Sequence, residues 1–326
     1  MTSIHPKRQT HRSASRPQIQ TPVQNAGPVS RIVTFTPTRV DSGETRHVIV
    51  GTLGELARID EDGNALGDSV TPFPAAVPCS TQIEGGWLGI WIEPEHRLAR
   101  MARLNLDAEW QDGSSRGELR TSLVRNMQPA SAEWTRSMDA EPTAVSRTET
   151  GFCFALRGRG IYHLDSQANE IWRAKLPSVL DGRRRGLETA ISMHASKDKL
   201  SVWYDNGLVV QLSMDDGSEI DRHNLNASER IEAVFHSDSQ HFIALAGGGI
   251  SIQDENGVLE SHATPGPVFA ARRIGETWEF TGWRHDGRLD EKGLSLAERP
   301  EIGVGFVGQR VLSNDGTLAA FGITRS

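Results

Sequence analysis

The stretch of this 326-residue chain richest in reactive side chains is His236-Ser237-Asp238-Ser239-Gln240-His241, two histidines bracketing a serine and an aspartate. Imidazoles beside a hydroxyl and a carboxylate are the parts of a hydrolytic relay, and two imidazoles near a carboxylate begin a metal site. A metal site needs a further ligand at a recognisable spacing, and none is visible; Ser-Asp-Ser is also ordinary turn chemistry, the reading the sequence favours. Asp60-Glu61-Asp62-Gly63-Asn64 offers oxygen ligands at alternate positions, as a calcium loop does. Its glycine falls fourth where the loop needs it sixth, and Thr71 stands where a bidentate glutamate belongs, so a structural hairpin is expected instead. Arg183, Arg184 and Arg185 form a run that would attract an anion or an acidic protein surface, or lie solvated in a turn. Trp87 and Trp91 fall on one side of a strand, where they would either pack between layers or, at an exposed rim, stack on a sugar or a base. Packing is the expectation. Gly247-Gly248-Gly249 lacks the following helix that a phosphate-cradling loop requires.

The elements that must position these residues are short strands. Leu200–Tyr204, Leu208–Ser213 and Glu219–Asn224 are rich in Val, Leu, Ile and aromatics, and Asp205-Asn206-Gly207 and Asp215-Asp216-Gly217 supply the positive-φ positions of tight hairpins. An antiparallel meander of this size cannot bury its apolar faces alone, so it must recur. The Asp that closes its second hairpin reappears at 60, 107, 165, 254 and 290, at steps that scatter around the roughly 40–50 residues of a four-stranded propeller blade. A last hairpin, Val311–Ile323, lacks an outer strand, and Arg31–Thr36 at the other end of the chain is free to complete it, removing the open edge. Blade one is expected from Ile32–Phe35, His47–Thr52, Glu55–Asp60 and Ala65–Val70.

Gly160-Ile161-Tyr162-His163-Leu164-Asp165 followed by Ile171-Trp172, and Asp315-Gly316-Thr317-Leu318-Ala319-Ala320-Phe321, resemble the blades of quinoprotein-like (PQQ-like) propellers, with looser similarity to the WD-repeat-like superfamily. The resemblance spans residues 30–326 as a pattern and implies fold without cofactor: no Gly-His or Trp-Asp dipeptide is present, and no quinone-holding residues can be placed. The expected fold is all-β, a seven-bladed β-propeller of four-stranded antiparallel blades over 31–326, preceded by a disordered basic tail, 1–30.

Residues 1–40 hold six basic and no acidic side chains, so the remainder carries −13 against −7 overall. A propeller that acidic is a poor nucleic-acid binder, which leaves the tail as the only route to one. No apolar run spans a membrane and no signal peptide is apparent, and Cys79 and Cys153 are expected as buried free thiols, so cytoplasm is the default. Between Asp112 and Ala144 the repeat is interrupted, and Leu119, Leu123, Val124 and Met127 fall at helical spacing before Pro129. This insertion is expected to form a short amphipathic helix, with Leu119, Leu123 and Met127 either contacting a partner or packing on the ring. The innermost strands offer Ser192, His194 and Glu232 to the central channel, too few convergent polar groups to suggest chemistry. The function expected is a non-catalytic scaffold that mediates protein–protein interaction in a cytoplasmic complex, needing no cofactor and using the insertion and the Arg183–Arg185 run. The alternative is an enzyme or small-ligand binder that uses the channel.

Overall fold

The computed structural model describes residues 18–19, 29–95, 98–121, 127–176, 189–225, 227–254, 257 and 259–323. The chain folds into seven antiparallel sheets arranged as the blades of a propeller, and the strands of each sheet follow one another in the sequence. We number the blades I–VII along the chain. Blade IV, Ala190–Ala195, Lys199–Tyr204, Leu208–Ser213 and Glu219–Asn224, is the meander expected from its two Gly-containing turns. Gly207 and Gly217 have φ of 88° and 73°, where a side chain would be strained.

The recurring Asp has a local physical cause. Asp60 accepts the backbone N–H and the side-chain amide of Asn64, at 2.8 and 2.9 Å, and Asp165 holds Asn169 at the same two distances. These bonds tie the turn between the third and outer strands and hold both carboxyls below their usual range. With Asp60 engaged in this way, the calcium-like spacing is turn chemistry.

The ring closes through both ends of the chain. Ser30 and Arg31 pair antiparallel with Leu318 and Thr317, supplying the outer strand that Gly303–Val307, Arg310–Ser313 and Thr317–Ala320 lack. Three expectations need correction. The inner strand of blade I is Pro37–Ser42, while Ile32, Val33 and Phe35 pack beneath the blade VII–blade I boundary. The expected strand Ala65–Val70 reduces to two isolated bridges, Ile59↔Ala65 and Leu56↔Val70, because Gly67 (φ 123°) breaks the extension between them. Third, Ala132–Met138 is the outer strand of blade II, so the interruption lies between that blade's third and fourth strands. Most of 1–30 is outside the described residues; Gln18–Ile19 runs parallel to Ser295–Leu296 at the outer edge of blade VI.

Packing between blades holds the disc. Apolar clusters straddle I–II, II–III, III–IV, IV–V, V–VI and VII–I. Trp87 and Trp91 of blade II are fully buried, meet edge to face at 5.6 Å and pack with Val48 and Val50 of blade I. The VI–VII boundary is held differently. Arg299 Nη1 donates to both oxygens of Asp286 at 2.8 Å, and its Nη2 to Ser313 of blade VII at 2.9 Å. Thr281 and the backbone N–H of Gly322 donate to the same carboxylate, so one buried ion pair joins two blades and the C-terminal segment.

Removing one partner of a buried pair strands the other charge, a cost of about 3–5 kcal/mol. Arg299→Met should therefore lower stability by that order in urea unfolding, and adding Asp286→Leu should restore part of it. A double variant no more stable than the single one would show that the charge pair is not what holds this boundary.

Candidate functional site

Across the turn between inner and second strands, every blade pairs two residues five apart: Ser42↔His47, Gln82↔Trp87, Arg147↔Phe152, Ala195↔Leu200, His236↔His241, Arg273↔Trp278 and Phe306↔Val311. Trp87, Phe152, Leu200, His241 and Trp278 each pack against the preceding blade. The second member is apolar and buried in blades II, III, IV, VI and VII. His47 is buried as well, whereas His241 is half-buried because it borders a cavity between blades IV and V.

Three imidazoles meet there. The rings of His194 and His236 stack with centroids 4.7 Å apart, and Trp203 meets His241 edge to face at 4.9 Å. Ser192 Oγ donates to the Val234 carbonyl at 3.2 Å and lies 2.9 Å from His236 Nε2, while His236 Nδ1 lies 3.1 Å from His241 Nδ1. One proton arrangement satisfies all three contacts. The serine proton goes to the carbonyl, His236 Nε2–H donates to the serine oxygen, and His241 Nδ1–H donates to His236 Nδ1. His241 Nε2 is then a bare lone pair on a ring that lines the cavity. Burial, reinforced by the neighbouring imidazoles, pushes His236 well below the usual histidine range and His241 down to about 4. Burial likewise lowers His194. All three rings are uncharged at neutral pH.

The cavity, about 540 Å³, opens on the face that carries the turns between inner and second strands. Its buried lining includes Ser201, Trp203 and Gln253; Asp221, Asp238, Ser239 and Lys199 stand exposed at the mouth. Gln253 Oε1 and Trp203 Nε1 have no hydrogen-bond partner.

The sequence motif resolves into a turn, as favoured: Ser237 Oγ donates to the Gln240 carbonyl at 2.9 Å and accepts its N–H at 3.2 Å. Among the described residues no group of three or more His, Cys, Asp or Glu could hold a metal ion. The hydroxyl that reaches a ring is Ser192, and that ring's basicity is driven opposite to what a general base at neutral pH needs. Ser192 and His194 thus meet blade V, while Glu232 is exposed. Full burial of Trp87 and Trp91 rules out their use as a stacking platform. In the insertion, Ser115 and Glu118 cap a helix Arg116–Thr121 reciprocally. Leu119 is 2% exposed within the I–II core and Met127 packs against it, so these two side chains face their own ring. Leu123 and Arg183, Arg184 and Arg185 lie outside the described residues. Cys79 and Cys153 are buried free thiols, and burial pushes Cys79 up to about 11.

No family model matches this sequence, and no curated protein matches it. Solved structures do. The β-propeller domain of Myceliophteria thermophila Cps50 (Swd1) superposes with a TM-score of 0.67 at 12% identity, covering 92% of this chain and 99% of that one. BBS1N, solved in complex with ARL6DN, gives 0.63 at 9% identity over 92% and 97% of the chains. BamB from Moraxella catarrhalis gives 0.54 at 12% identity over 86% and 83%. At these identities the likeness establishes the fold alone.

The depressed histidines fix the sign of a pH dependence. Above pH 6.5 they are neutral both folded and unfolded; as pH falls toward 4 the unfolded chain takes up protons that folded His241 does not. Stability is thus complete above 6.5 and falls by about 1.4 kcal/mol per pH unit for each such histidine. His241→Leu, the residue blade IV carries at that position, should give a shallower loss in urea titrations between pH 6.5 and 4. An unchanged slope would contradict this assignment.

Proposed function

We propose that the chain is a non-catalytic propeller scaffold that holds protein partners together within a cytoplasmic complex. The observation that carries this reading is an exposed aromatic and cationic hook on blade VI. Trp283, 50% exposed, occupies the turn between Thr277–Gly282 and His285–Asp290, with its backbone N–H donating to the Pro267 carbonyl at 2.8 Å. Arg284 beside it is also exposed and has φ 59°, a left-handed conformation that a non-glycine residue adopts at a cost and that clusters at binding sites. Phe269, 39% exposed, follows Val268, the partner of Gly282 in the strand ladder, and extends the apolar patch. Exposed Trp and Arg side by side on a rigid turn are the residue types that dominate binding energy at protein interfaces.

Two further features support the reading. BBS1N, a structural neighbour, was solved with a protein partner, and two buried free thiols suit a reducing compartment. The Arg183–Arg185 run, the basic tail and the exposed Arg116 and Arg120 of the insertion helix are further contacts in this reading.

Trp283→Ala with Arg284→Ala should leave stability within about 1 kcal/mol, since both side chains are exposed, yet remove at least one protein from those that co-purify with the intact chain. Ala at Arg183, Arg184 and Arg185 tests the second contact in the same assay. A co-purifying set untouched by either change, or turnover by the purified protein, would overturn the scaffold reading.

A further inference from the structure

Buried charges are normally paired, as Arg299 is with Asp286. Arg58, 9% exposed where blades I and II meet, has no carboxylate within ion-pair distance among the described residues. What holds it is neutral. Its Nη1 donates to the Leu106 and Ala108 carbonyls at 2.8 and 2.6 Å, and its guanidinium carbon lies 4.7 Å from the ring centre of Trp110. That indole is itself fixed, since Trp110 Nε1 donates to the Asn105 carbonyl at 2.8 Å. Both protons of Nη1 are thereby used. Nε and Nη2, the edge of the guanidinium whose N–H bonds run parallel, have no partner among the described residues, and neither is closed to solvent. Burial, and after it the Arg46 charge, pushes Arg58 below the usual arginine range, while Asp107 and Glu109 act the other way.

Arg58 lines a pocket of about 380 Å³ together with Arg46, Leu66 and the turn Leu106–Glu109. Gly67, where φ is 123° and the outer strand breaks, is what keeps the free edge uncovered: a Cβ there would stand 3.1 Å from Arg58 Nη2. Arg46 is already engaged, its Nη1 donating to the Leu106 carbonyl at 3.1 Å and to Asp107 at 2.5 Å. These features discriminate among ligands. A cation meets repulsion, and a neutral amide leaves the buried charge uncompensated. A planar carboxylate matches two parallel N–H bonds. Two arginines against Asp107 and Glu109 give a lining of zero net charge, which suits one negative charge better than the nearly two of a phosphate. Leu66, 37% exposed, offers an apolar wall to the stem behind the carboxylate.

From this geometry we propose that the pocket binds a carboxylate side chain presented by a protein partner, held on Nε and Nη2 of Arg58. A protein as the source of the carboxylate rests on the scaffold reading; the chemistry of the pocket does not. Glu109, exposed at the rim without an ion pair to Arg58, is the internal competitor for the same edge.

The test is calorimetric titration of the full chain with acetyl-Gly-Glu-Gly-amide, its glutamine counterpart, acetate and inorganic phosphate. The glutamate peptide should bind, and the glutamine peptide about tenfold or more weakly. Arg58→Lys keeps the charge and loses the paired N–H bonds, so it should weaken the glutamate peptide about tenfold. Glu109→Gln, at an exposed position that leaves folding intact, removes the competitor and should strengthen binding about threefold; it decides alone if Arg58→Lys fails to fold. Equal affinity for glutamate and glutamine, tighter binding of phosphate, or affinity indifferent to either substitution overturns the site. Acetate binding as tightly as the peptide overturns a protein as the source. Glutamate binding without any co-purifying protein would leave the site standing and remove the scaffold reading, and the reverse result would do the opposite.

Discussion

A four-stranded blade has two faces and no interior, so each blade of this ring depends on burying apolar side chains against its neighbours. That constraint explains why the residue five positions beyond the end of the inner strand is Trp, Phe, Leu or Val in most blades. Two boundaries carry buried or half-buried polar contacts as well. Between VI and VII a buried Arg299–Asp286 pair, completed by Thr281, Ser313 and Gly322, stands where other boundaries have an apolar cluster. Such a pair adds little net stability over well-packed apolar residues, but it tolerates no partial match, which suits the boundary beside the blade built from both chain ends. Between IV and V the departure is His241, and a histidine half-filling a place that tryptophan fills elsewhere leaves a polar cavity.

The fold was legible because it is written locally and repeatedly. An Asp that captures the Asn four residues on, seen at Asp60 and Asp165, and Gly at positive φ in many of the hairpins are short-range devices, and the recurrence of such turns discloses the ring. The errors have an equally physical origin. Pro37–Ser42 is an inner strand whose residues are mostly part-exposed, so its composition is polar, while apolar Ile32–Phe35 owes its character to packing without a strand ladder. Ala132–Met138 was hidden because a helix-bearing excursion separates it from the strand it pairs with.

The candidate site was only half visible. His236 and His241 are five residues apart and can be seen together, but His194 and Ser192 come from the preceding blade and reach them only once the ring forms. A signal was nonetheless present: aligning the seven pairs across the first turn shows histidine where most blades carry a large apolar residue. The exposed Trp283 turn had no such signal, since exposure of a tryptophan is a property of the assembled disc.

The imidazole chain beside the apolar cluster of blades IV and V is the contact that sets this boundary apart, because it crosses between blades without charge and ends on a ring that lines the cavity. Two-bond nitrogen–proton NMR of the histidine rings at neutral pH tests it most directly. The account predicts His236 protonated on Nε2 alone and His241 on Nδ1 alone; an imidazolium at either residue, or His241 carrying its proton on Nε2, would contradict it.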